Sequence, residues 1–367
     1  VSNSILLYPE STLVYVVVVA ACCLVAYLGE GHESRSYPAI IILILAVFVG
    51  LRSIDVGIDT GHFYNHFNSP LVFGVEPGFL WLMRFVSSLG ATYSYVLIIA
   101  AAITYSCFVM RLWELRDKLS FPLGVFVLCS LYLPYTMNTF RQFIVLAVLF
   151  WASRYFFRRE YAKYCVIVFA CMLIHKTSII ALALLALIPF QLKELKGNAR
   201  TLALLFSLSM PLLIVVAGFF LLNSGALSSY LKYLIEEETG RTGLMALIKL
   251  LFIFLAFSLS RGGGYRRSLL PDTISRFIAA IAIFGICLEP LNVISPYLDR
   301  AALYFSVYQI AFFAILYKNA PGRSREFIFA GIFVICAYAL YASLASNGHG
   351  IMPYSMASPL ILFGSEA

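Results

Sequence analysis

Four short stretches of this sequence place cations beside hydrogen-bonding groups at the ends of apolar runs. Arg52 opens RSIDVGIDTGHFYNHF, which also holds Asp55, Asp59, Thr60, His62, Tyr64 and His66. Arg141 sits in NTFRQ, flanked by Asn138 and Gln142. His175 and Lys176 adjoin in LIHKTSI, and Asp299 and Arg300 in LDRAALYF, with Tyr304 one helical turn further on. Arginine suits phosphate because its planar guanidinium donates two parallel hydrogen bonds. Histidine titrates near pH 6.5 when unperturbed, which suits a general base at neutral pH. The pattern points to an anion-binding cavity. Arg52, Arg141, Lys176 and Arg300 would supply its cations. His175, at a helix break beside a lysine, is a candidate functional residue. Plain alternatives stand beside each reading. An arginine near a membrane surface can snorkel. Asp55, Asp59 and Asp299 can form structural ion pairs, Asn138 can cap its own helix, and Tyr304 can simply pack.

The elements that position these groups follow from composition. Of 367 residues, 62% are hydrophobic and 12% charged, with mean hydropathy +0.91. A soluble domain carries about 45–50% apolar and about 25% charged residues, so lipid is the solvent that accommodates this chain. Barrel strands would alternate every second residue. Here the apolar runs are continuous, so helices are expected. Spans are predicted near 11–29, 36–52, 92–110, 121–136, 139–153, 164–174, 177–190, 201–222, 242–260, 271–289, 300–317 and 327–343. The pair 164–174 and 177–190 is short and broken at His175-Lys176, as a tight hairpin, a re-entrant pair or one long tilted helix. The stretch Glu76–Gly90 reads as a short interfacial helix, with residues 53–91 as an outer segment of a single membrane domain.

Five basic loops fall on one side of this arrangement: Arg111 to Lys118, Arg154 to Lys163, Lys193 to Arg200, Arg261 to Arg267, and Lys318 to Arg325. Lys and Arg excess marks the cytoplasmic side. Both termini then lie outside, and the first residues lack the positive charge of a signal-peptide n-region. Arg52, Arg84, Arg141, His175, Lys176, Arg241 and Arg300 remain outside, against that rule. Such placement costs roughly 2.5–3.5 kcal/mol at helix-centre depth, and less near the ends.

Other signals are weak. The net charge of +8 sits in short loops, as topology signals do, so no nucleic-acid partner is expected. RGGGYRR at 261–267 lacks the ending of a P-loop and reads as a basic cytoplasmic turn. His349 reads as an idle residue of the outer tail. The eight cysteines lie in apolar runs without metal spacing and read as small hydrophobes. No metal motif or cofactor motif is visible, so metal-independent chemistry is expected.

At Arg52…VGIDTGHFY, EPGFLWL (76–82), NTFRQ (138–142), LIHKTSI (173–179) and LDRAALYF (298–305), the sequence resembles the EpsG-like branch of bacterial Wzy-type polysaccharide polymerases. Together these pieces cover most of the chain. The resemblance implies an all-α polytopic membrane protein of about twelve helices with a GT-C-like glycosyltransferase architecture, in the bacterial inner membrane. It implies an active site facing the periplasm. Donor and acceptor would be undecaprenyl-pyrophosphate-linked oligosaccharides in the lipid bilayer, with a chain-length regulator protein as a further partner. The growing glycan would leave its lipid pyrophosphate for a sugar hydroxyl of another repeat. On that reading Arg52, Arg141 and Arg300 would stabilise the pyrophosphate, with Lys176 in reserve; His175 is the first candidate for a base and Asp59 the second, and either could instead orient a sugar. Two rival classes share features: a lipid-linked oligosaccharide flippase, for which internal repeats are missing, and an O-antigen ligase or sugar acyltransferase, which could share the cations.

Overall fold

The computed structural model describes residues 3–72, 74–187, 244–262, 268–293 and 296–357; at 187, 261–262, 292–293 and 296–299 only the backbone is described. The expected span at 201–222, Arg241 and the turn 263–267 lie outside the described residues. So does the side chain of Asp299.

Among the described residues the secondary structure is helical, with one isolated bridge between Arg52 and Met356. Helices are the expected outcome where long apolar runs leave the backbone no water to bond. In chain order they are α1 (Pro9–Leu28), α2 (Ser36–Gly50), α3 (Ile58–Asn68), α4 (Pro77–Ser88), α5 (Tyr93–Glu114), α6 (Phe121–Asn138), α7 (Phe140–Phe157) and α8 (Tyr161–Met172). A 3-10 segment at Lys176–Leu187 follows. Next come α9 (Leu244–Gly262), α10 (Thr273–Leu288), α11 (Pro296–Ser306), α12 (Gln309–Asn319) and α13 (Gly322–Ser346). Seven segments are long and apolar enough to cross a membrane, and four more apolar helices are shorter. Together they coincide with the eleven predicted spans that fall on described residues. At His175 the chain breaks. α8 ends at Met172 and the 3-10 segment starts at Lys176, so the two do not form one long helix, and the twelve residues of α8 rise only about 18 Å against a hydrocarbon core about 30 Å thick.

The chain divides into two compact units, Val1–Ser178 with Phe313–Ala367, and Ile179–Phe312. In the first unit, α5 packs against α2 and α7, and α6 packs against α1 and α13. A Cβ at Gly50 would come 2.7 Å from the Ile98 Cα, so α2 and α5 touch backbone to backbone there. Burial sorts the helices. The apolar window of α6 is 78% buried, against 28% for α1 and α13. The latter two turn Leu13, Val17, Leu24, Phe333 and Val334 outward, as lipid-facing helices do. In the second unit α10 packs on α11, and a Cβ at Gly285 would meet the Phe305 carbonyl carbon at 2.6 Å.

The segment 53–91 holds more order than a loop with one interfacial helix. Besides α4 it forms α3. Arg84 donates to the Phe67 and Ser69 carbonyls at 3.4 and 2.6 Å, satisfying carbonyls at the end of α3 that the helix itself cannot pair. Phe63, Phe67, Phe79, Met83, Val86, Tyr93, Phe140 and Ile144 pack as one core under both helices. On its other face α4 exposes Trp81 and Phe85, stacked 5.4 Å apart.

Candidate functional site

The site is organised by Glu76. Pro77 fixes the first turn of α4 and leaves Glu76 at its N-cap, the position where Pro at the first helical residue is favoured. The Glu76 side chain does not cap its own helix. Oε2 instead accepts from Arg141 Nη1 at 2.5 Å. Oε1 accepts from the backbone N–H of Lys176 at 3.3 Å and lies 3.5 Å from His175 Nδ1. The side chains of Arg141, Glu76 and His175 are 17%, 12% and 15% exposed. Three stretches distant in sequence thus meet at one carboxylate.

Close backbone contact holds them there. The Gly78 N–H donates to the Leu173 carbonyl at 2.7 Å, and a Cβ at Gly78 would come 2.8 Å from that oxygen. Only glycine permits this approach. Arg141 stands one residue into α7, after the single-residue joint Thr139 between α6 and α7. Its guanidinium lies over Phe63 at 4.0 Å and Phe79 at 5.6 Å, so two rings of the core fix its plane. Asp59 is within electrostatic reach of the same guanidinium. His62 and His66 stand one turn apart on α3, with Nε2 atoms 3.0 Å apart.

Electrostatics favour an ionised Glu76. Burial works to raise its carboxyl. The His175 contact, the Arg141 charge and backbone N–H groups outweigh that and hold it down to about 2. His175 Nδ1 itself is buried and faces Glu76 Oε1 at 3.5 Å, the outer limit of hydrogen-bond distance.

Arg52 occupies a different environment. It is 1% exposed and directs its donors into protein. Nε meets the Val56 carbonyl at 3.2 Å, Nη1 the Val49 carbonyl at 2.5 Å, and Nη2 both the Met137 carbonyl at 2.9 Å and Thr60 Oγ1 at 3.2 Å. This is a staple that joins the end of α2, the start of α3 and the end of α6. Asn138 does not cap its own helix: it ends α6, and its Oδ1 accepts from the Asp59 N–H at 3.0 Å, capping α3 from another element. The tail at 347–357 straps the same region. Gly350 and His349 carbonyls accept from Gly57 and Ile58, and Ser355 and Leu51 carbonyls from Ser53 and Ala357. His349 is buried with its ring 4.3 Å from that of Tyr135, so it is no idle tail residue.

The remaining expected residues are dispersed. Asp55 is exposed and accepts from Ser53 Oγ at 3.2 Å. Gln142 is buried on α7, and Lys176 presents an exposed side chain. Arg300, exposed, and Tyr304, buried, belong to α11 of the second unit. That unit has its own polar cluster. Lys249 donates to both Glu289 oxygens at 2.9 Å, and Gln309 donates to Glu289 Oε1 at 2.7 Å. Among the described residues no three His, Cys, Asp or Glu side chains gather as a metal-binding group.

Sequence reasoning missed Glu76 as a functional residue. The available signal is that it is the sole acidic residue between Asp59 and Glu114, so it is the natural counter-charge for a nearby arginine.

A model of the EpsG family matches residues 36–356 of the chain. The chain belongs to the EpsG family. That makes it a membrane protein of polysaccharide synthesis, and the match takes in every segment that builds the cluster around Glu76. No curated protein and no solved structure matches it.

Proposed function

We propose that this EpsG-family chain is a membrane glycosyltransferase that polymerises lipid-pyrophosphate-linked repeat units at the outer face of the bacterial inner membrane. The observation that carries this reading is the meeting of Arg141, Glu76 and His175 at the end of the bundle that the charge rule puts outside. The donor's sugar C1 bears the lipid pyrophosphate. The acceptor hydroxyl oxygen forms a new bond to C1 as the bond from C1 to the pyrophosphate oxygen breaks, and that oxygen keeps the electron pair. Arg141 stabilises the charge growing there, in a site with little water where a fixed cation acts strongly. His175 takes the hydroxyl proton, with Asp59 as the alternative base. Lys176 is a further cation for the pyrophosphate. Asp55 and Gln142 are candidates for sugar contact. Arg52 and Asn138 hold the loop that carries Asp59.

The test uses purified protein and a lipid-pyrophosphate-linked repeat unit. Polymer should form together with one free lipid pyrophosphate per bond made, and Arg141→Ala and His175→Ala should abolish both. Transfer of the glycan to a different lipid, or its movement across the bilayer without bond formation, contradicts the proposal.

A further inference from the structure

Arg141 already holds an anion, and that anion is the chain's own. Glu76 fills the position that a phosphate oxygen would take. It receives Arg141 Nη1 at 2.5 Å and the Lys176 N–H at 3.3 Å. It also stands at the start of α4, where a helix N-terminus favours negative charge. Meanwhile the buried His175 Nδ1 faces the other oxygen, Glu76 Oε1, at 3.5 Å, the outer limit of a hydrogen bond. One carboxylate thus serves two partners, and its tighter contact is to the arginine.

We infer that Glu76 is a resident stand-in for the donor phosphate, displaced from Arg141 when the pyrophosphate binds and handed to His175. This rests on the function proposed above and assigns Glu76 a role there. Once freed, the carboxylate needs to close by only about half an ångström to reach hydrogen-bond distance of Nδ1. It then accepts the Nδ1 proton and fixes the tautomer in which Nε2 has the lone pair. That is the arrangement a histidine base requires, with a carboxylate behind it. Donor binding therefore switches on the base. The acceptor hydroxyl proton goes to Nε2 as the C1–oxygen bond forms, and Glu76 stays ionised to balance the imidazolium. Without donor, His175 is not oriented, and a lone acceptor or water is not activated. Glu76 is a positioning residue in this scheme, since it acts through Arg141 and His175.

The experiment compares wild type and Glu76→Gln for two quantities: affinity for inorganic pyrophosphate, read by thermal stabilisation of the purified protein, and turnover with lipid-linked repeat as a function of pH. Removing the competing charge should tighten pyrophosphate binding by about tenfold. Turnover should fall by about a hundredfold or more, and the pH profile of turnover should move. Glu76→Asp, one methylene shorter and so drawn back from Arg141, should shift both quantities the same way by less. It also serves if the glutamine variant does not fold. Equal or weaker pyrophosphate binding in the folded variants overturns the displacement. So does lower turnover with an unmoved pH profile, the signature of a mere strut. If wild type binds no pyrophosphate, the proposed function itself fails, an outcome distinct from the other two.

Discussion

Replacing Arg52 by Ala separates a structural arginine from a substrate-binding one. The side chain makes four hydrogen bonds, three of them to backbone carbonyls of Val49, Val56 and Met137. After truncation Val56 keeps the Thr60 hydroxyl at 2.8 Å. The Val49 carbonyl loses its arginine bond, and Met137 keeps at most a 3.4 Å contact with Thr60. Each stranded buried carbonyl costs about 1–3 kcal/mol, and the cavity adds to that. The sum is roughly 3–6 kcal/mol, a large part of the about 5–15 kcal/mol that holds a typical protein together. At about 2–4 °C per kcal/mol for a chain above 150 residues, the melting temperature should fall by on the order of 10 °C. Arg52→Lys should lie between, because an ammonium offers three donors and no planar fork. The assay follows labelling of Cys22 and Cys129, both buried and free, with a thiol dye during heating in detergent, alongside the protein level in membranes. An Arg52→Ala protein that melts like wild type yet makes no polymer refutes the staple and returns Arg52 to the substrate.

Asn138→Ala removes the cap on α3 and should cost about 1 kcal/mol, seen as a small drop in melting temperature with reduced activity through Asp59. Gly78→Ala puts a Cβ 2.8 Å from the Leu173 oxygen. It should cost about 1–3 kcal/mol and uncouple Glu76 from His175, so polymer yield should fall more than protein level. Glu76 has a depressed carboxyl, about 2 against the ordinary 4.5. Its contribution to stability is therefore full above pH 4.5 and lost as pH falls toward 2; the difference in melting temperature between wild type and Glu76→Gln should shrink across that window. Activity of the purified protein should survive a chelator, and loss restored by a divalent cation would contradict that expectation.

Much of the fold is legible because apolar length is a direct readout of lipid contact. The seven helices long and apolar enough to cross a membrane need no tertiary information, and neither does the break at His175. The convergence of Arg141 with His175 is legible in part, since the charge rule sorts helix ends by side. It does not say which ends touch. Arg52 shows the limit: an arginine facing phosphate and one facing backbone carbonyls read alike in sequence, and only the Val49, Val56 and Met137 oxygens distinguish them. Asn138 shows the same limit, because a cap given to another helix leaves no local pattern. Glu76 was hidden by its plain role. A glutamate before Pro-Gly reads as a helix start, and its partners lie 65 and about 100 residues away.

The most direct test replaces Arg141 and His175 singly by Ala in cells and reads the glycan pattern at matched membrane protein level. Each variant should leave single repeats transferred to the terminal acceptor and no long chains. Normal chain length in both variants would contradict the assignment of this site, and long polymer retained on the lipid carrier would point to ligation instead.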